Sequence, residues 1–153
     1  MNIVQFYDYV LEINEIQTEK YYFSQPKIGD SDHCTCGYCK NFAKLIPTLS
    51  QQILDIMCIL KIDPHKNAHV HHFYKAPNGK HMYMALYEFV GRIIHIPKDE
   101  IVIILHHNDE DYIAFNISEP DSRVFYTEFR CPQPTLQMTV TGFFPWLLAE
   151  NDE

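Results

Sequence analysis

The chain is poor in glycine and in clustered positive charge. Its 153 residues include five glycines, all dispersed. A phosphate-cradling loop needs glycines close together, so that backbone N–H groups can approach the anion. That class of nucleotide site is excluded, and so is the dinucleotide fingerprint of doubly wound folds. There is no Gly-x-Ser-x-Gly elbow and no His-Glu-x-x-His pair. The twelve Lys and Arg are scattered, and the formal net charge is −8. Phosphate backbones are repelled by such a surface, which argues against a DNA or RNA partner. No stretch approaches the roughly 20 apolar residues of a membrane span. Residues 1–10 lack the basic region, apolar run and small-residue cleavage site of a secretory signal. These absences set the expectation of a cytoplasmic chain without membrane contact.

Aromatic residues are abundant: ten Tyr and ten Phe beside one Trp. They fit a strand-rich globular protein and argue against disorder. The length suits a single domain spanning 1–153. Such a chain buries roughly two thirds of its unfolded surface, enough for a core without disulfide staples. Five cysteines, an odd number, also argue against a disulfide framework.

The apolar pattern has two periods. In residues 3–13, Ile3, Phe6, Tyr7, Val10 and Leu11 match a helical face, yet their types favour strands and no N-cap precedes them. A strand is the reading taken, with a helix as the alternative. Tyr21, Tyr22 and Phe23 form a short apolar patch closed by Pro26, and residues 27–33 read as a loop. Cys39, Phe42, Ala43 and Ile46 then recur on one helical face. Pro47 interrupts that helix, and Thr48 with Gln51 has the form of a capping box for a second one. The result is a Pro-broken helical segment over about residues 37–61. Beyond it the period falls to two. Strands at 68–75 and 80–90 flank the turn Ala76-Pro77-Asn78-Gly79, and Gly91 predicts a bend or bulge. Further strands are predicted at 101–107, 112–117, 124–129 and 136–143. The expected fold class is α+β: an antiparallel meander of six or seven strands with the broken helix packed on it.

Three of the five cysteines, Cys34, Cys36 and Cys39, fall where the loop meets the first helix. Thiolates bind zinc well, and a turn leading into a helix can bring several sulfurs together. A fourth ligand is then needed, with His33 or Cys131 as candidates and the central histidines behind them. The alternative is that the reduced thiols simply pack beneath the helix start. A third reading is a redox pair of Cys36 and Cys39. Cys36-Gly37-Tyr38-Cys39-Lys40 resembles the Cys-Gly-x-Cys-Lys site of thioredoxin-like oxidoreductases and disulfide isomerases. That resemblance implies Cys36 as attacking thiol and Cys39 as resolving thiol. A helix N-terminus suits the role, because its dipole favours thiolate. The resemblance covers five residues only. The buried strand expected before the first cysteine is replaced by Asp30-Ser31-Asp32-His33-Cys34-Thr35, and the loosely placed Pro97 stands for the expected cis-proline loop.

The histidines offer a second metal candidate. His69 and His71 alternate on one strand face, with Glu88 in a neighbouring apolar strand as a carboxylate partner. The plainer reading is a polar strand face near the hairpin tip. His72 and His81 are expected opposite Tyr83 and Tyr74 respectively.

A wider pattern spans residues 34–94. Cys34-x-Cys36-x-x-Cys39-x-Asn41-Phe42, then Ile62-Asp63-Pro64, then Tyr87-Glu88-Phe89-Val90-Gly91 resembles a group of small uncharacterised bacterial proteins. The resemblance brings no catalytic residue with it. With no catalytic constellation in view, the leading expectation is a non-catalytic module that binds another protein. An immunity or accessory protein neutralising a basic partner is one version of it. The alternative is a zinc-binding or thiol-redox protein centred on Cys34, Cys36 and Cys39.

Overall fold

Strand-favouring residues at the N-terminus form a hairpin rather than a helix. Strands β1 (Asn2–Phe6) and β2 (Tyr9–Ile13) pair antiparallel. Tyr7 and Asp8 join them with φ of 47° and 65°. Positive φ at both loop residues gives the hand of turn that matches strand twist. The fold was derived from a computed structural model that describes residues 1–66, 69–120 and 131–149.

The Tyr21-Tyr22-Phe23 patch belongs to a helix, α1 (Glu15–Phe23), which the sequence reading did not anticipate. Asn14 caps it: its Oδ1 accepts the Gln17 N–H at 3.0 Å. Thr18, Tyr21 and Tyr22 lie three and four residues apart and form the buried face. Thr18 is fully buried and satisfied: its hydroxyl donates to Asn14 O and accepts the Val90 N–H.

Helix α2 (Gly37–Leu45) runs into a 3-10 turn at Ile46–Thr48, which carries Pro47, and α3 (Gln51–Ile59) follows. The cap of α3 is Ser50, whose Oγ accepts the Ile53 N–H at 3.3 Å. Thr48, expected in that role, instead donates its hydroxyl to Leu45 O at 2.6 Å. The 3-10 turn occupies the place where the capping box would have begun.

Among the described residues, five more strands complete an antiparallel sheet of seven: β3 (His69–Lys75), β4 (His81–His95), β5 (Val102–Asn108), β6 (Asp111–Ser118) and β7 (Thr135–Phe144). The strand predicted at 124–129 lies outside the described residues. The sheet is not a meander. Its order is β1-β2-β4-β7-β6-β5, with β3 also on β4, so β7 lies between β4 and β6. The reason is burial. Strand β7 hides residues of both faces, among them Leu136, Met138, Thr139 and Val140. A strand covered on both faces belongs inside a sheet, not at its edge. Strand β4 is long enough to use two partners on its other side. Its residues 81–86 pair with β3 and its residues 91–95 with β2. Gly91 marks the handover. A Cβ there would stand 2.7 Å from Glu12 O, so the residue permits close backbone approach.

The core lies where the helices meet the sheet. Phe42, Leu45, Ile53 and Met57 are fully buried with Tyr83, Tyr87 and Phe89 of β4. Each such side chain contributes about 1.5–3 kcal/mol by leaving water. No helix among the described residues is long and apolar enough to cross a membrane.

Candidate metal centre

Two short-range devices gather the cysteines. The first is a tight turn: Asp30 O accepts the N–H groups of both His33 and Cys34 at 3.0 Å. The second is the cap of α2. Cys36 is the N-cap residue, and its Sγ accepts the Cys39 N–H at 3.4 Å. A cap side chain and the third helical residue face each other across the first turn. Sulfurs 36 and 39 are thus held together by helix geometry, and the turn delivers Cys34 beside them. The Cys34 and Cys36 Sγ atoms are 3.2 Å apart, and all three sulfurs lie within 4.8 Å of one another. All five cysteines are free thiols.

The three thiols differ in setting. Cys36 is exposed, Cys34 half-buried and Cys39 buried. Hydrogen bonding from the Cys36 backbone, then from the Cys36 and Cys39 thiols, holds the Cys34 thiol below its ordinary value. Burial pushes the Cys39 thiol up strongly, and its hydrogen bonds and the charges of Cys34 and Cys36 add to this. Three thiolates side by side repel, and a bound cation removes that repulsion.

The first turn of α2 rests on an aromatic platform. The Tyr38 ring stacks on His72 at 4.0 Å with 10° between planes. His72 Nε2 and His81 Nδ1 form a 2.7 Å hydrogen bond. Trp146 lies 5.0 Å from His81 and edge-on to Tyr38, and a side chain at Gly37 would meet its ring at 3.6 Å. The Tyr83 hydroxyl donates to Tyr38 O at 3.0 Å and accepts from Asn41 Nδ2 at 3.3 Å. Fully buried Asn41 also donates to Pro145 O and accepts the Leu147 N–H at 2.6 Å. Burial lowers the His72 pKa, with His81 adding to the effect, and burial raises that of Tyr83 against the opposing Asn41 hydrogen bond.

No family model matches this chain, and neither does any curated protein or solved structure. The chemistry of the site follows from its own geometry.

Cys34, Cys36 and Cys39 are the sole group of three or more close ligand atoms among the described residues. His33 and Cys131 are not in it. Cys131 is buried elsewhere, with Thr135 and Glu88 near it: burial pushes its thiol up to about 12, and the Glu88 charge adds to this. His69, His71 and Glu88 do not form a ligand group either. His69 pairs with Leu86 and His71 with Met84, whereas His72 pairs with Tyr83. Facing partners share one side of a sheet. His72 is therefore on the side of Tyr83 and α2, and His69 and His71 are on the other. The described pairing of β3 starts with His69 opposite Leu86, and Glu88 pairs with Gln137 of β7. The expected pairing of His72 with Tyr83 is present. A register shift between His72 and Tyr74 moves Tyr74 opposite Met82 and leaves His81 opposite Lys75.

Sequence reasoning missed the platform. One signal was available: His81, Tyr83 and Ala85 share strand parity, which places His81 on the inner face. Nothing local shows that Trp146 returns to Gly37.

Proposed function

We propose that this chain binds zinc through the Cys34, Cys36 and Cys39 thiolates. The convergence of the three sulfurs within 4.8 Å carries the reading. A tetrahedral zinc with bonds of about 2.3 Å needs its sulfurs about 3.8 Å apart. The 3.2 Å pair and the 4.8 Å limit bracket that value, so small side-chain rotations suffice. A soft, all-sulfur donor set disfavours calcium and magnesium, which take oxygen. Bound zinc would cross-link the cysteine turn to the first turn of α2 and neutralise the clustered thiolates. The exposed Cys36 side leaves the fourth position to water or to a ligand from outside the group.

The test is zinc content of the full chain purified with reductant and without chelator. About one zinc per chain is expected. Cys39→Ser should lose it, and Cys58→Ser, which alters an exposed thiol outside the group, should keep it. Full occupancy in Cys39→Ser would refute the assignment.

A second reading, a protein-binding module, draws support from apolar side chains exposed away from the cysteines. Helix α1 leaves Ile16 and Phe23 80% and 87% exposed. Edge strand β5 exposes Ile103. A basic partner of the kind an immunity or accessory module neutralises suits the net charge of −8. A specific partner recovered with the native chain and lost with Phe23→Ser supports this reading, and equal recovery by both counts against it.

A further inference from the structure

We infer that oxidation of this site joins Cys34 to Cys36, not Cys36 to Cys39, and that the new disulfide expels the metal. The consequence for the metal rests on the zinc reading above, whereas the choice of pair stands on geometry alone. The Cys34 and Cys36 sulfurs are already 3.2 Å apart. A disulfide needs about 2.05 Å, so closure asks for a shift of little more than an ångström. Both residues sit before the first turn of α2, Cys36 as its cap, so the pair can close without unwinding helix. Cys39 is within the helix and only 6% exposed, under the cover of the fold. An oxidant from solvent therefore meets Cys34 and Cys36 first.

The oxidant proposed is a peroxide. A Cys34 thiolate attacks one peroxide oxygen: an S–O bond forms, the O–O bond breaks, and hydroxide leaves and takes up a proton. The Cys36 thiolate then attacks the Cys34 sulfur: the S–S bond forms, the S–O bond breaks, and a second hydroxide leaves to become water. The two sulfurs are oxidised by two electrons in total, and the peroxide is reduced to two waters. Zinc keeps its charge throughout. It loses two of three protein ligands and is left with Cys39 alone. The ring closed by a single intervening residue, Thr35, is small, and a strained disulfide is readily reduced again by a dithiol. Zinc occupancy then follows the redox state of the surroundings.

The experiment uses the full chain, once loaded with zinc and once metal-free. Each sample is titrated with hydrogen peroxide, and released zinc is followed with a colorimetric chelator. Thiols left free are alkylated after unfolding, and the sites are read by fragmentation of the peptide carrying all three cysteines. The expected result is stoichiometric zinc release, with alkyl label on Cys39 and none on Cys34 or Cys36, reversed by dithiothreitol. Cys39→Ser should still form the bond, and Cys34→Ser should not form it. A label pattern showing Cys36 joined to Cys39 overturns the inference, as does zinc retained after the Cys34–Cys36 bond has formed. A chain that never takes up zinc yet forms the Cys34–Cys36 bond overturns the metal reading and its release step while upholding the choice of pair.

Discussion

The Tyr83 hydroxyl ties the cysteine helix to the sheet. It donates to Tyr38 O, between Gly37 and Cys39, and accepts from buried Asn41. Tyr83→Phe removes this link and leaves the Tyr38 carbonyl without that donor. The expected loss is about 0.5–1.5 kcal/mol in chemical denaturation for each hydrogen bond removed, the usual net contribution of such a bond. His72 gives a second prediction at this scale. Its pKa is lowered from 6.5 by burial and by His81. The unfolded chain therefore binds a proton more readily than the folded one. The neutral ring contributes stability that is present above pH 6.5 and is lost as pH falls through the lower folded value. Unfolding free energy should drop on acidification through this window, with a slope of at most about 1.4 kcal/mol per pH unit from this one group. His72→Gln should flatten that part of the profile. An unchanged slope in the variant would assign the effect to another group.

Elements show why some features were legible and others not. Strand positions came from alternation, and the β3–β4 hairpin from Pro77-Asn78-Gly79, because both signals are local. Gly79 does hold φ of 87° in that turn. Helix α1 was missed because its buried face is Thr18, Tyr21 and Tyr22, whose types read as strand or loop. What decides its structure is the Asn14 cap and the Thr18 bond to Val90, a partner 72 residues away. The cysteine cluster was legible because its spacing and the helix start lie in one short stretch. Its platform was not, because His72, Tyr83 and Trp146 come from separate strands and a returning tail. Gly91 supplies a test of the sheet itself. Gly91→Ala places a methyl 2.7 Å from the Glu12 carbonyl, where backbone must move. It should destabilise the chain by about 1–3 kcal/mol, as overpacked sites do. The loss should appear in thermal unfolding with zinc binding kept in the folded fraction, since Gly91 lies at the β2 junction.

At the scale of the whole molecule, the zinc proposed above would act as a ligand of the folded state. Free zinc at a hundred times its dissociation constant adds about 2.7 kcal/mol of stability. A strong chelator should therefore lower the midpoint of thermal unfolding by several degrees, and Cys39→Ser should not respond. Equal shifts in both proteins would place the metal elsewhere. The strand order has a consequence for how the molecule is made. Strand β7 fills the slot between β4 and β6, yet it follows both in sequence. A polypeptide leaves the ribosome from its N-terminus onward. Until residues 135–144 emerge, the nascent chain carries two apolar strand edges facing a gap, and such edges invite pairing with other chains. The cysteine turn is outside by then, while Trp146 is still to come. The thiols thus spend that interval without the indole that later packs against their helix. The last strand to be made is thus the one that closes the sheet and brings the cover of the cysteine helix with it.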